Sequence, residues 1–132
     1  PMTARIENRE HYAEAIVNPD NANHWMTVQP VSATLRVYRG DDLLVETSRA
    51  VQVVENGRSA YAPRTYFPAD DIKATVEAVD KTTHCPLKGD ARYFSHGGEE
   101  LGWRYDALPF AAVLQDFASL WEKGLRFEYS YA

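Results

Sequence analysis

The stretch TLRVYRGDDLLVET, residues 34–47, decides the fold class of this 132-residue chain. Apolar and polar side chains alternate on both sides of the segment RGDD, and Leu35 and Val37 share one face of the first run. A period of two indicates a half-buried β-strand, and a Gly-Asp segment between two such runs is typical of a turn. The stretch therefore predicts an antiparallel hairpin within a β-rich domain.

The same period continues along the chain. The run AVQVVE alternates and leads into Asn56-Gly57, a dipeptide typical of tight hairpin turns, which predicts a second hairpin. Pro68 cannot donate a ladder hydrogen bond, so a break in the sheet is expected over residues 65–71. Further short strands are predicted at 73–79, at 91–95 and 102–105 with HGGEE between them, and over LRFEYSY, residues 125–131.

One helix is predicted near the end of the sequence, in PFAAVLQDFASLWEKG, residues 109–124. Pro109 suits the first turn of a helix, and Gly124 suits its C-terminal stop. A helix with one apolar stripe is expected to pack on a sheet. The residues that share the predicted stripe are Phe110, Val113, Leu114, Phe117 and Trp121.

Together these patterns predict a mainly β (α+β) fold, with antiparallel sheets folded as a sandwich or half-barrel and one C-terminal helix. Residues 1–31 show little pattern and are interpreted as a short irregular N-terminal extension packed on the domain, with a short helix allowed at 8–16. Residues 32–132 are expected to form a single β-rich domain. The pattern lacks strand–helix–strand alternation, which argues against a parallel nucleotide-binding sheet.

Composition restricts the possible partners. The formal net charge is −5 and no segment is strongly basic, so we expect no nucleic-acid partner. The single cysteine, Cys85, excludes an intramolecular disulfide and favours a reducing compartment. No run of about 18 apolar residues and no secretory-signal pattern is seen, so we expect a cytoplasmic protein with no membrane partner.

Cys85 has two interpretations, and the sequence leaves both open. If the positive charges of Lys88 and His84 stabilise its thiolate, Cys85 is a nucleophile, with His84 or Glu55 assisting. Alternatively, Cys85 is a small buried residue ahead of a turn, because a following proline keeps it extended and Gly89 supplies a positive φ.

A metal site built from His84, Cys85 and His96 is disfavoured on geometric grounds. Side chains of adjacent residues in an extended segment point to opposite sides, so positions 84 and 85 do not converge on one ion. His24 lies in the predicted extension and is expected at the surface. The sequence therefore predicts no metal ligands and no cofactor.

Four blocks of the sequence carry a family resemblance: LRVYRGDDLLVETSRAVQVVE, TYFPADDI, TTHCPLKGDARYF (residues 82–94) and GWRY. They resemble successive blocks of the domain of unknown function 427 family of bacterial proteins, over roughly residues 24–131. The resemblance implies no established activity. The family's patterned positions correspond to Glu55, Tyr66, Pro68, Asp71, Thr83, Cys85, Pro86, Lys88, Gly89, Tyr93, Trp103 and Tyr105.

The family is sometimes labelled a nucleotidyltransferase domain, and the residues do not favour that chemistry. Nucleotidyl transfer needs carboxylates spaced to hold Mg²⁺ against a triphosphate. Asp41 and Asp42 lie in a predicted turn, whereas Asp70 and Asp71 are adjacent and point apart in an extended chain.

The resemblance and the residue types together predict a small-molecule pocket near the turn at Lys88. There an ammonium and backbone N–H groups can hold a carboxylate or phosphate, although Lys88 can equally pair with Asp90. Aromatic side chains gathered at one turn would wall a pocket for an anionic or aromatic ligand. The alternatives are a thiol-dependent enzyme and a purely structural or interaction domain. The predicted lining residues are Glu55, Tyr66, Thr83, Cys85, Lys88, Tyr93, Trp103 and Tyr105.

Overall fold

The computed structural model describes residues 14–132, which form two antiparallel sheets. The prediction of a mainly β fold is confirmed. The strands are β1 (Ile16–Asn18), β2 (Asn21–Pro30), β3 (Ala33–Arg39), β4 (Asp42–Thr47), β5 (Val51–Asn56), β6 (Arg64–Pro68), β7 (Glu77–Cys85), β8 (Gly89–His96), β9 (Glu99–Ala107), β10 (Phe117–Leu120) and β11 (Arg126–Tyr131).

The larger sheet has the strand order β1-β2-β5-β6-β10-β9-β8-β7, and the smaller sheet has the order β11-β3-β4. The hairpin predicted from residues 34–47 is confirmed, with Val37 opposite Val45. The predicted closing strand is β11, which pairs with β3. The turn between β8 and β9 contains Gly97 and Gly98, both at positive φ, as a tight hairpin turn requires.

The second predicted hairpin forms from β5 and β6, with Val51 opposite Tyr66, but its connection differs from the expected one. The chain makes a loop over residues 57–63 instead of a two-residue turn at Asn56-Gly57. The sheet also continues further than predicted. Pro68 is the last residue of β6, a position at which a missing N–H is tolerated, and a 3-10 turn follows at Ala69–Asp71.

The predicted helix at 109–124 is wrong. Pro109–Leu114 forms 3-10 turns that are interrupted at Ala111, and Phe117–Leu120 is strand β10. Because β10 lies between β6 and β9, a helix in its place would leave both strands with unpaired edges. Val113 and Trp121, two members of the predicted stripe, are 51% and 40% exposed. Within residues 14–132 no helix has the length and apolar character needed to cross a bilayer.

The described part of the predicted N-terminal extension is regular rather than irregular. β1 and β2 belong to the larger sheet, and β2 pairs with β5 so that Met26 lies opposite Glu55. The helix allowed at residues 8–16 falls mostly outside the described residues, and its last residue, Ile16, begins β1.

Two apolar cores lie on opposite faces of the larger sheet. The inter-sheet core fills the space against the smaller sheet and contains Leu35, Phe67 and Leu120. The inner core lies on the other face and contains Met26, Tyr66, Leu87, Ala91, Trp103, Tyr105 and Leu114. Lys88, at the β7–β8 end of the larger sheet, contacts Glu55 of β5, so the sheet curls around the inner core without closing.

Candidate functional site

The turn that joins β7 to β8 directs its residues inward. Cys85 pairs with Gly89 at the end of this hairpin. Gly89 has a φ of +125°, and a Cβ at this position would collide with the carbonyl oxygen of Asp106, so only glycine fits. Leu87 and Lys88 consequently turn into the inner core, and Lys88 is only 4% exposed.

The Lys88 ammonium is paired with the carboxylate of Glu55. It donates to Glu55 Oε1, and His24 Nε2 lies 2.8 Å from Glu55 Oε2. Burial by itself raises the pKa of Glu55, but the hydrogen bonds from Lys88 and His24 hold it below its ordinary value of 4.5. Burial also works to lower the pKa of Lys88, whereas the hydrogen bond to Glu55 and the negative charge of that carboxylate help to raise it above its ordinary value. At neutral pH the two side chains therefore form a buried ion pair.

The thiol of Cys85 lies beside this ion pair. Its Sγ, a carboxylate oxygen of Glu55 and an imidazole nitrogen of His24 all lie within 4.8 Å of one another. The second ring nitrogen of His24, Nδ1, lies 3.2 Å from Nδ2 of Asn18. Side chains from β1, β2, β5 and β7 thus converge at one point, although the strands lie at opposite ends of the larger sheet.

Two buried tyrosines lie close to Lys88. The ring centres of Tyr66 and Tyr105 are 6.0 Å apart, and the Lys88 ammonium is 5.9 Å from the centre of the Tyr105 ring, within cation–π range. Burial raises the pKa of both phenols, so both hydroxyls stay protonated at neutral pH. They provide neutral hydrogen-bonding groups beside the ion pair.

Thr83 and Tyr93 lie towards the exposed edge of the same face. The Thr83 hydroxyl is 3.1 Å from the Tyr93 hydroxyl. The Tyr93 ring centre is 6.0 Å from that of Trp103, which is buried in the inner core. An aromatic surface therefore extends from the exposed strand β7 to the middle of the sheet.

Arg64 of β6 provides a second positive charge on this face. Its guanidinium lies 5.0 Å from the ring centre of Trp103 and 5.8 Å from that of Trp121. It donates a hydrogen bond to the carbonyl of Leu120 at 3.2 Å. Among residues 14–132 it takes part in no ion pair, in contrast to Lys88.

A cavity of about 310 Å³ lies beside the ion pair and is lined by Val53, Glu55, Tyr61, Ala62, Arg64 and Tyr66. A larger cavity of about 680 Å³ lies on the side of the sheet that carries Arg92 and Arg104. Those two arginines face Asp106 and Asp116 at 3.8 Å and 2.8 Å, and all four side chains are well exposed. We place the candidate site at the smaller cavity, because buried and mutually paired ionisable groups mark functional sites more often than solvated pairs do.

The structure brings five of the predicted site residues together, leaves Thr83 and Tyr93 near the edge of the face, and places Trp103 between the two groups. Glu55, Cys85 and Lys88 form the polar cluster, with Tyr66 and Tyr105 against it. Trp103 links this cluster to Tyr93 and Thr83. The interpretation of Cys85 as a nucleophile stays a prediction.

The histidines differ from the sequence-based expectation. His84 faces outward and pairs with Asp90 at 2.8 Å, and His96 contacts Arg39. His24, expected at the surface, is half-buried and belongs to the polar cluster. The spacing of His24, Met26 and Val28 at every second position of β2 is the sequence signal that places them on one face.

A family model described as Domain of unknown function (DUF427) matches residues 27–130. No curated protein matches the chain.

Proposed function

The chain belongs to the family described as Domain of unknown function (DUF427), and we propose that it binds a small anionic molecule with a flat apolar body. The binding site would be the cavity beside the Lys88–Glu55 pair. The observation that carries the proposal is the lining of this cavity. It combines an arginine that forms no ion pair within residues 14–132, two tyrosines, and a carboxylate whose charge is already neutralised by a lysine.

Arg64 is better suited than Lys88 to hold the anionic group. The Lys88 ammonium is already engaged by Glu55, and separating the two charges would leave a buried carboxylate without its partner. The guanidinium of Arg64 lies within cation–π range of Trp103 and Trp121, which restrict its movement. A planar guanidinium in a fixed orientation can donate two parallel hydrogen bonds to a carboxylate or phosphate.

The apolar body of the ligand would lie against the tyrosines. Tyr66 is buried at the base of the cavity, and Tyr61 is 46% exposed at its margin. Aromatic walls with a few polar groups are typical of small-molecule sites. A volume of about 310 Å³ suits a compound with a single ring rather than a nucleotide. Because Lys88 neutralises Glu55, an anion would meet little repulsion there.

The test is a thermal-shift series with benzoate, phenyl phosphate and inorganic phosphate as probes. The two aromatic anions should stabilise the protein, and inorganic phosphate should do so less because it lacks the ring. A ligand at about 100 times its Kd adds about 2.7 kcal/mol to the free energy of unfolding. Arg64→Met should abolish the shift.

Arg126→Met is the matched control, because Arg126 also stacks on an aromatic ring, with its guanidinium 4.6 Å from the centre of Tyr38 on the smaller sheet. This variant should respond like the wild type. The proposal fails if neither aromatic anion shifts the melting temperature, or if Arg64→Met and Arg126→Met respond equally.

A further inference from the structure

We propose that His24, Glu55 and Cys85 form a binding site for a zinc-like divalent transition metal ion. The three side chains come from β2, β5 and β7, and their donor atoms lie within 4.8 Å of one another. The site shares Glu55 with the cavity of the proposed function. It does not involve Arg64, however, so the metal site and the interaction of Arg64 with an organic anion can each hold without the other.

The donor set fits zinc in type and in separation. Zn²⁺ accepts imidazole nitrogen, carboxylate oxygen and thiolate sulfur, whereas Mg²⁺ and Ca²⁺ prefer oxygen alone. Bonds of about 2.0–2.3 Å place tetrahedral ligand atoms about 3.3–3.8 Å apart. His24 Nε2 and Glu55 Oε2, now 2.8 Å apart, would separate by about 0.5 Å, and no separation in the cluster, all within 4.8 Å, would have to shorten by more than about 1.5 Å. Three protein ligands also leave one tetrahedral position for water or another small ligand, which is the pattern of catalytic zinc sites.

Lys88 and Asn18 would hold the ligands in position. Lys88 donates to Glu55 Oε1 and thereby leaves Oε2, the oxygen next to His24, for the ion. Asn18 contacts Nδ1 of His24, which leaves Nε2 directed at the cluster. Partners of this kind orient metal ligands and tune metal affinity.

Binding of the ion requires two proton movements. The thiol of Cys85 loses its proton to solvent when the sulfur–metal bond forms. The neutral imidazole of His24 moves its N–H from Nε2 to Nδ1, which frees Nε2 for the metal. The side-chain amide of Asn18 then rotates so that its Oδ1 accepts a hydrogen bond from Nδ1–H of His24. In this rotation Oδ1 gives up the hydrogen bond that it now accepts from the backbone N–H of Asp20, at 2.9 Å. One proton is released per ion, so affinity should increase with pH.

The experiment is a titration of the reduced full chain with Co²⁺, followed by absorption spectroscopy. A thiolate–cobalt bond gives a charge-transfer band in the near ultraviolet, and we expect this band to saturate at one ion per chain. Zn²⁺ should displace Co²⁺ and abolish the band. Cys85→Ser should not show it at all.

His24→Ala and its matched control, His84→Ala, separate this site from adventitious binding near the thiol. His84 is adjacent to Cys85 in sequence but faces outward towards Asp90. We expect His24→Ala to weaken Co²⁺ binding at least tenfold and His84→Ala to leave it unchanged. Asn18→Asp should tighten binding several-fold, because a carboxylate can accept from Nδ1–H while still accepting from Asp20.

Three results would overturn the proposal: no band in the wild type, a Co²⁺ affinity of His24→Ala that is less than tenfold weaker than that of the wild type, or a loss of binding in His84→Ala. A folding defect is identified by circular dichroism, and Asn18→Asp gives a test that does not remove a ligand. Alkylation of Cys85 by iodoacetamide provides an independent measurement. Zn²⁺ should slow it in the wild type, and an unchanged rate at saturating Zn²⁺ would contradict the site.

Discussion

The two cores of this protein lie on opposite faces of one sheet and differ in chemistry. The buried residues of the inter-sheet core are aliphatic side chains or phenylalanine. The inner core contains two tyrosines and a tryptophan and surrounds the ion pair of Lys88 with Glu55. The first core stabilises the fold through apolar packing. The second uses buried volume for polar groups, as the proposed binding of a small anion would require.

The polar groups of the inner core are costly to bury and are fully paired. Within residues 14–132, no buried side-chain nitrogen or oxygen lacks a hydrogen-bond partner. Even so, a buried ion pair often contributes no more stability than well-packed apolar residues of the same size. Packing therefore accounts for the residues of the inter-sheet core but not for the ion pair, which the proposed function would explain.

The largest expected effect is in the inter-sheet core. Phe67→Ala should lower the free energy of unfolding by about 3–5 kcal/mol, because Phe67 is completely buried and a cavity would remain. Urea denaturation measures the loss. Under native conditions, the Phe67→Ala variant should bind Co²⁺ as the wild type does. A loss below about 1 kcal/mol would show that this core can collapse around the missing ring.

The next effect distinguishes a buried ion pair from apolar packing. Lys88→Met should cost about 3 kcal/mol, because it leaves the Glu55 carboxylate without its cation in a mostly buried place. The double variant Glu55→Leu, Lys88→Met should recover most of that loss. Lys81→Met is the control, since its pair with Glu100 is exposed and should cost less than about 1 kcal/mol. A double variant as unstable as Lys88→Met would mean that the pair itself stabilises the fold.

The smallest effect is the pH dependence of the same pair. The pKa of Glu55 is lowered by folding, so its contribution to stability is present above pH 4.5 and is lost as the pH falls through the folded-state pKa. The pKa of Lys88 is raised, so its contribution is present below pH 10.5 and is lost as the pH rises through the folded-state pKa. The wild type should therefore lose unfolding free energy relative to the double variant at both low and high pH. Urea midpoints from pH 3 to pH 11 test this, and a constant difference would contradict the assignment.

Six of the strands and the main turn of this protein were determined by local sequence. Alternation with a period of two depends only on neighbouring residues, and it located β3, β4, β5, β8, β9 and β11. The turn at Cys85 is equally local, because Pro86 keeps the preceding residue extended and Gly89 accepts a φ closed to other residues.

The strand β10 and the polar cluster were decided by tertiary structure. Residues 110–121 carry a helical spacing, yet Ala118 and Leu120 complete a sheet whose other strands are distant in sequence. His24, Glu55 and Lys88 are separated by 31 and 33 residues and meet only because the larger sheet curls. A periodicity reports which face a side chain occupies, but it carries no information about which distant strand that face will meet. For that physical reason Glu55, Cys85 and Lys88 could be proposed one by one from the sequence, whereas the place of His24 and the arrangement of the cluster could not.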